Sequence, residues 1–372
     1  MQRHRGWFAS AAAAALFYTA CATTGTTTSS EPGQPSTSAG QTAGTAGQQW
    51  AVKTREHVDL WLHGFAMLQA DTALVPYFRR GYVSEMQSLR SRANATTQLD
   101  ANRDRLRSRL AINAGLINAQ FLPFYFDTFD EMMRAIDLVV RSDGNPRAAG
   151  DQQTASLIAM MAGYFPTSAD RDWARLFAQS VRDEDSRFYR SYWDQQQRER
   201  APVVTAVNNL WQNRYRAKFQ SFLNNTRQTG GEIFLSLPLD GEGRTVSESS
   251  RENAVGVTFP ARESDAVQSM YVIAHELVGQ IVATAVRDNT TPSDQRAGLT
   301  DQYIAAGSVR GGAILLEKIA PELVDGFARY YLQSAGRPVG TSPMGSLATV
   351  FRLPDAIREA ISRQIDTVLG GI

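Results

Sequence analysis

Residues 264–287 place the tightest limit on how this chain can fold. Wound as a helix, Val267, Met270, Tyr271, Ala274, Leu277, Val278, Ile281, Val282 and Ala285 form a wide apolar stripe. Val272, Ile273 and Ala283 carry that stripe round most of the circumference. A helix apolar on nearly every side must be covered by other elements on nearly every side, so it belongs at the centre of a sizeable core. Yet His275 and Glu276 stand in its middle. An imidazole and a carboxylate are costly to bury unless each has partners. Such a conflict between pattern and content is expected where a chain carries a functional site.

The rest of the sequence supplies the covering elements, and the expected class is mainly α (α+β). Over residues 50–230 apolar positions recur at helical spacing, beginning with Val58, Trp61, Leu62, Phe65 and Leu68. Leu106, Leu110, Ile112, Leu116 and Ile117 mark a second stretch, and Met132, Met133, Ile136 and Val139 a third, closed by Gly144-Asn145-Pro146. Later segments are rich in rings, including Trp173, Phe177, Tyr189, Tyr192, Trp211, Tyr215 and Phe219, which is the pattern of a packing face between helices. His57 and His63 lie six residues apart and do not share a helix face, so they are not read as a metal pair. Past Gly230-Gly231 the pattern changes. Residues 233–237 have strand character, and Pro238 suggests an edge strand. Residues 253–259 read as a second strand after the turn Asp240-Gly241-Glu242-Gly243. The expected division is a helical region over residues 50–230 and a helical region with a small antiparallel sheet over residues 231–372. The latter ends in helices near residues 321–335 and 354–369.

A short apolar strand followed by a buried helix bearing His275-Glu276 resembles a zinc metallopeptidase of the gluzincin type, a zincin-like domain. In that family His-Glu-x-x-His places two histidines on one helix face to bind zinc, and the glutamate is the general base on the metal-bound water. The resemblance covers roughly residues 231–336. It implies His275 as first zinc ligand and Glu276 as catalytic base. The second ligand position is Gly279, which has no side chain, and Gln280 sits about 100° round the helix and cannot replace it. The family's third, acidic ligand falls on Glu317, with Asp301 the weaker candidate. Gly311-Gly312 would let their helix approach that of His275 closely. Glu317 beside Lys318 reads equally well as part of a solvated face. Zinc is therefore the cofactor implied, at a site short of a ligand.

The N-terminus speaks to location. Residues 1–21 are expected to be a leader, a lipoprotein-type signal peptide: Arg3, His4 and Arg5 precede an apolar stretch over residues 7–20, and Thr19-Ala20-Cys21 resembles a bacterial lipobox, with Tyr18 departing from its usual leucine. Cys21 is the only cysteine, so no internal disulfide can form, and lipidation is its expected fate. Residues 22–49 are almost all Thr, Ser, Gly, Gln, Pro and Ala, with Glu31 the one charge; they are expected to be a flexible tether. From Trp50 onward the chain is expected to fold as a soluble domain or domains held at the bacterial cell envelope, with the outer membrane as one candidate location. The net charge of +1 gives no general field for nucleic acid, and no phosphate loop or nucleic-acid signature is present. Arginine heavily outnumbers lysine, but acidic residues balance it along the chain. The expected function is an exported lipoprotein with a metallopeptidase-like domain, degenerate at Gly279. The alternative is a non-catalytic peptide-binding, protein-binding or structural envelope lipoprotein.

Overall fold

The computed structural model describes residues 49–370, apart from residue 71 and residues 248–251. The expected leader, its lipidation site Cys21, and all but the last residue of the expected tether lie outside the described residues. The architecture is mainly α with one small sheet, as the periodicity predicts.

The sheet has four strands: β1 (Ala51–Lys53), β2 (Gly230–Ser236), β3 (Arg244–Ser247) and β4 (Glu252–Thr258), in the spatial order β1-β2-β4-β3. β1 and β4 run parallel to β2, and only β3 pairs antiparallel, with Thr245 opposite Val255. The sheet is thus mixed rather than antiparallel. The strand expected at an edge, β2, is interior. Pro238 lies two residues past its last paired residue, Ser236, so the missing amide costs the ladder nothing. β1 was invisible to pattern reading because three residues carry no period. It joins the sheet from the far side of residue 230, so the change of element type there does not separate the strands.

Around the sheet the helices pack through their aromatic faces. Trp61, Phe65 and Phe177 are fully buried, and the Phe177 ring lies 4.6 Å from Trp61 and 4.8 Å from Phe65, both edge-on. Edge-to-face pairs contribute about 0.5–1.5 kcal/mol each beyond their buried area. Helix Ser168–Glu184, which carries Phe177, begins with a capping box in which Thr167 and Asp170 satisfy each other's backbone amides. Two single π-turns, Asp185–Tyr189 and Trp211–Tyr215, bring further rings into the core.

The long apolar helix is divided. Helices Val267–Leu277 and Gly279–Asn289 meet at Val278 with a bend of 42°. The break falls at Val278, just before the glycine of the degenerate motif. Both segments are buried against helix Thr300–Ile319. Gly311 and Gly312 permit this as expected. A Cβ on Gly311 would stand 2.8 Å from the Val282 side chain, and one on Gly312 would stand 2.9 Å from the Phe327 ring and 3.4 Å from the His275 Cα. Among the described residues no single helix is both long and apolar enough to cross a membrane.

Candidate functional site

The His275 helix runs from the end of β4 back under the sheet, tied there by Ser269 Oγ, which donates to the Thr258 carbonyl at 3.1 Å. His275 is 2% exposed. Its Nδ1–H donates to Glu276 Oε1 at 3.0 Å, and Thr245 Oγ1 on β3 donates to Glu276 Oε2 at 3.1 Å. His275 Nε2 faces Glu242 Oε2 at 3.6 Å. The Tyr331 ring stacks on the imidazole with centroids 5.3 Å apart, and its hydroxyl donates to the Gly241 carbonyl at 3.0 Å. The neighbouring Tyr330 hydroxyl reaches Asp240 Oδ1 at 3.4 Å.

These contacts hold one segment. Asp240, Gly241 and Glu242, in the connection from β2 to β3, and Thr245, on β3 itself, are met in turn by Tyr330, Tyr331, His275 and Glu276. Gly243 lets the segment lie this close, since a Cβ there would come within 2.8 Å of Glu276 Cγ and 2.6 Å of the Gly256 carbonyl oxygen. The electrostatics suit a clamp. Burial works against a charge on His275. The Glu242 carboxylate, and the hydrogen bond and charge of Glu276, outweigh it and hold the imidazole above its ordinary pKa. Burial likewise pushes the Asp240 carboxyl up to about 6, against the lowering effects of Tyr330, Arg80 and Arg79.

The expected zinc ligands are not gathered here. Glu317 is exposed on helix Thr300–Ile319, and the residue of that helix that abuts His275 is Gly312. Five residues separate the two, about 7.5 Å of rise and about 140° of rotation. Asp301 lies in the first turn of the same helix, about 16 Å before Gly312 at the standard rise. Gly279 faces open space, with nothing within 4 Å of where its Cβ would be. Among the described residues no group of three or more His, Cys, Asp or Glu side chains is arranged to hold a metal ion. The donor set does not fit a catalytic zinc.

Sequence reasoning found His275 and Glu276 but missed Glu242, Thr245 and Tyr331. The one available signal was an acidic turn between two glycines, Gly241-Glu242-Gly243, within reach of a buried histidine. The two other described histidines are satisfied elsewhere. His57 Nε2 lies 2.8 Å from the Phe126 carbonyl, and burial lowers its pKa. His63 bridges Glu184 Oε1 and the Tyr82 hydroxyl, each at 3.1 Å. Comparison with known proteins found no matching family model, no matching curated protein and no matching solved structure.

Proposed function

We propose that this chain is an exported, lipid-anchored envelope protein whose metallopeptidase-like His275–Glu276 pair does not act as a peptidase. It clamps the segment between β2 and β3 against the core. The observation that carries this reading is the mutual engagement of the pair. Glu276 has one carboxylate oxygen on His275 and the other on Thr245. Each oxygen therefore has a protein partner that ties the carboxylate to the clamp. Gly279 and the exposed Glu317 leave the imidazole without co-ligands, consistent with a degenerate rather than a working metal site.

The clamp holds β3 at the outside of the sheet, where among the described strands it pairs only with β4. An extended peptide of another envelope protein, adding to β3 by strand pairing, is the non-catalytic binding mode this arrangement favours. Anchoring rests on the leader and on Cys21, whose acyl chains would hold the tether at a membrane. A peptidase assay tests the core of the reading. Purified protein is incubated with casein and with quenched fluorogenic peptides, with and without added zinc, beside Glu276→Gln. Equal, background hydrolysis by both proteins is expected, and turnover that Glu276→Gln abolishes would overturn the proposal.

A further inference from the structure

Helix Tyr82–Arg92 ends in a turn at Asn94, whose positive φ of 49° suits asparagine better than most residues, and the Ala95 amide donates back to the Arg90 carbonyl at 3.0 Å. The chain then forms helices Gln98–Ala101 and Arg103–Ile112. These elements border an open cavity of about 610 Å³, a volume ordinary for a small-molecule site. Arg90 and Ser91 line it from the first helix, Asn94 and Thr96 from the turn, and Asp100 and Arg103 from the two later helices. Small-molecule pockets are mostly apolar, but this lining is polar apart from Ala95.

Two guanidinium groups share one carboxylate in this wall. Arg90 is 4% exposed; it pairs with Asp100 Oδ2, and its Nη2 donates to Thr97 Oγ1 at 3.1 Å. Arg103 Nη2 donates to Asp100 Oδ1 at 2.6 Å. Asp100, the one carboxylate lining the cavity, therefore has both oxygens on guanidinium groups. Glu184 lies behind Arg90, 3.5 Å from its Nε, and is engaged as well: Oε1 faces His63 Nε2 at 3.1 Å, and Oε2 accepts from Thr97 Oγ1. The acceptors are spent while a donor remains. Arg103 Nε is buried with no hydrogen-bond partner among the described residues. Buried polar atoms are nearly always satisfied, so a wall of two cations and one carboxylate with an orphaned guanidinium N–H is short of an acceptor. Arg90 is also fixed in place by Asp100, Thr97 and Glu184, so little of its side-chain freedom is left to lose on binding.

We propose that this cavity, which shares no residue with the His275 clamp, binds the oxyanion group of a small molecule, a carboxylate or a phosphate. Arg90 and Arg103 supply the charge, and Ser91, Asn94 and Thr96 add hydrogen bonds from the mouth.

Isothermal titration calorimetry of the purified protein tests this, with inorganic phosphate and with acetate as probes at constant ionic strength. Three variants are measured in parallel, their folding checked by circular dichroism. Arg103→Gln removes a charge from the wall, and Ser91→Trp fills the cavity from an exposed position. Arg105→Gln removes an equal charge from an exposed position on the same helix outside the lining. Saturable one-to-one binding of at least one probe is expected, about tenfold weaker in Arg103→Gln, as loss of a charge-assisted donor implies, absent in Ser91→Trp and unchanged in Arg105→Gln. Tighter binding of phosphate would assign a phosphoryl ligand, and tighter binding of acetate a carboxylate. If Arg103→Gln fails to fold, Ser91→Trp carries the test. The proposal is overturned if neither probe saturates the wild type, if folded Arg103→Gln or Ser91→Trp binds as the wild type does, or if Arg105→Gln weakens binding as much as Arg103→Gln.

Discussion

Asp59→Asn should make this protein more stable at neutral pH, by an amount the structure allows to be worked out. Asp59 is 1% exposed, and burial raises its carboxyl from an ordinary 3.8 to about 7 despite the hydrogen bonds it accepts. The sign follows from proton counting. Between these two values the unfolded chain has lost the Asp59 proton and the folded chain keeps it, so stability falls as pH rises through the window and levels off above it. Each pKa unit corresponds to about 1.4 kcal/mol, so the full penalty at alkaline pH is about 4 kcal/mol, of which about 2.5 kcal/mol develops between pH 5 and pH 8. That is a large part of the roughly 5–15 kcal/mol by which a domain is stable. Asparagine keeps the shape and an oxygen for Trp193 Nε1 and the Leu237 amide, but it does not titrate. Urea unfolding of the chain from Gln49 onward, for both proteins at several pH values, should show the variant's advantage growing across that range. An advantage that stays constant with pH, or a wild type that is the more stable at pH 8, would refute the account of Asp59 as an acid kept neutral by burial.

Other predictions concern the clamp and the helix beneath it. Gly312→Ala should destabilise by about 1–3 kcal/mol, because its Cβ would meet the Phe327 ring at 2.9 Å, as chemical denaturation would show. Gly279→Ala, which meets nothing within 4 Å, should stabilise by up to about 1 kcal/mol in the same assay; a loss there would mean that the bend at Val278 depends on the glycine. His275→Gln should cost most at low pH. The raised imidazole pKa gives stability that is fully present below its unfolded value of 6.5 and lost as pH rises through the higher folded value, so wild type and variant should converge in alkaline solution.

What could be read from the sequence was whatever depended on local pattern. The burial of Val272, Ile273 and Val282 follows from apolar residues round a whole helix, and the close approach at Gly311 and Gly312 from two missing side chains. The rings of Trp173, Phe177 and Trp211 are core, as their spacing predicts. Ile112, counted in the same way, is 75% exposed, because its helix ends there and the chain turns into the 3-10 segment Ala114–Tyr125. Pairings between distant segments were not legible. No local signal says that Ala51–Lys53 lies beside Gly230–Ser236, or that Glu242 meets His275 across 33 residues. The same limit explains Glu317, which motif order placed near His275 and helix rotation carries to the surface.

The central claim is that His275 and Glu276 hold each other and a neighbouring segment rather than a catalytic metal. Metal content, measured by mass spectrometry on the purified chain from Gln49 onward beside His275→Ala, tests it most directly. The account predicts no stoichiometric zinc in either protein after exposure to zinc and removal of the excess. Near-stoichiometric zinc in the wild type that disappears in His275→Ala would contradict it.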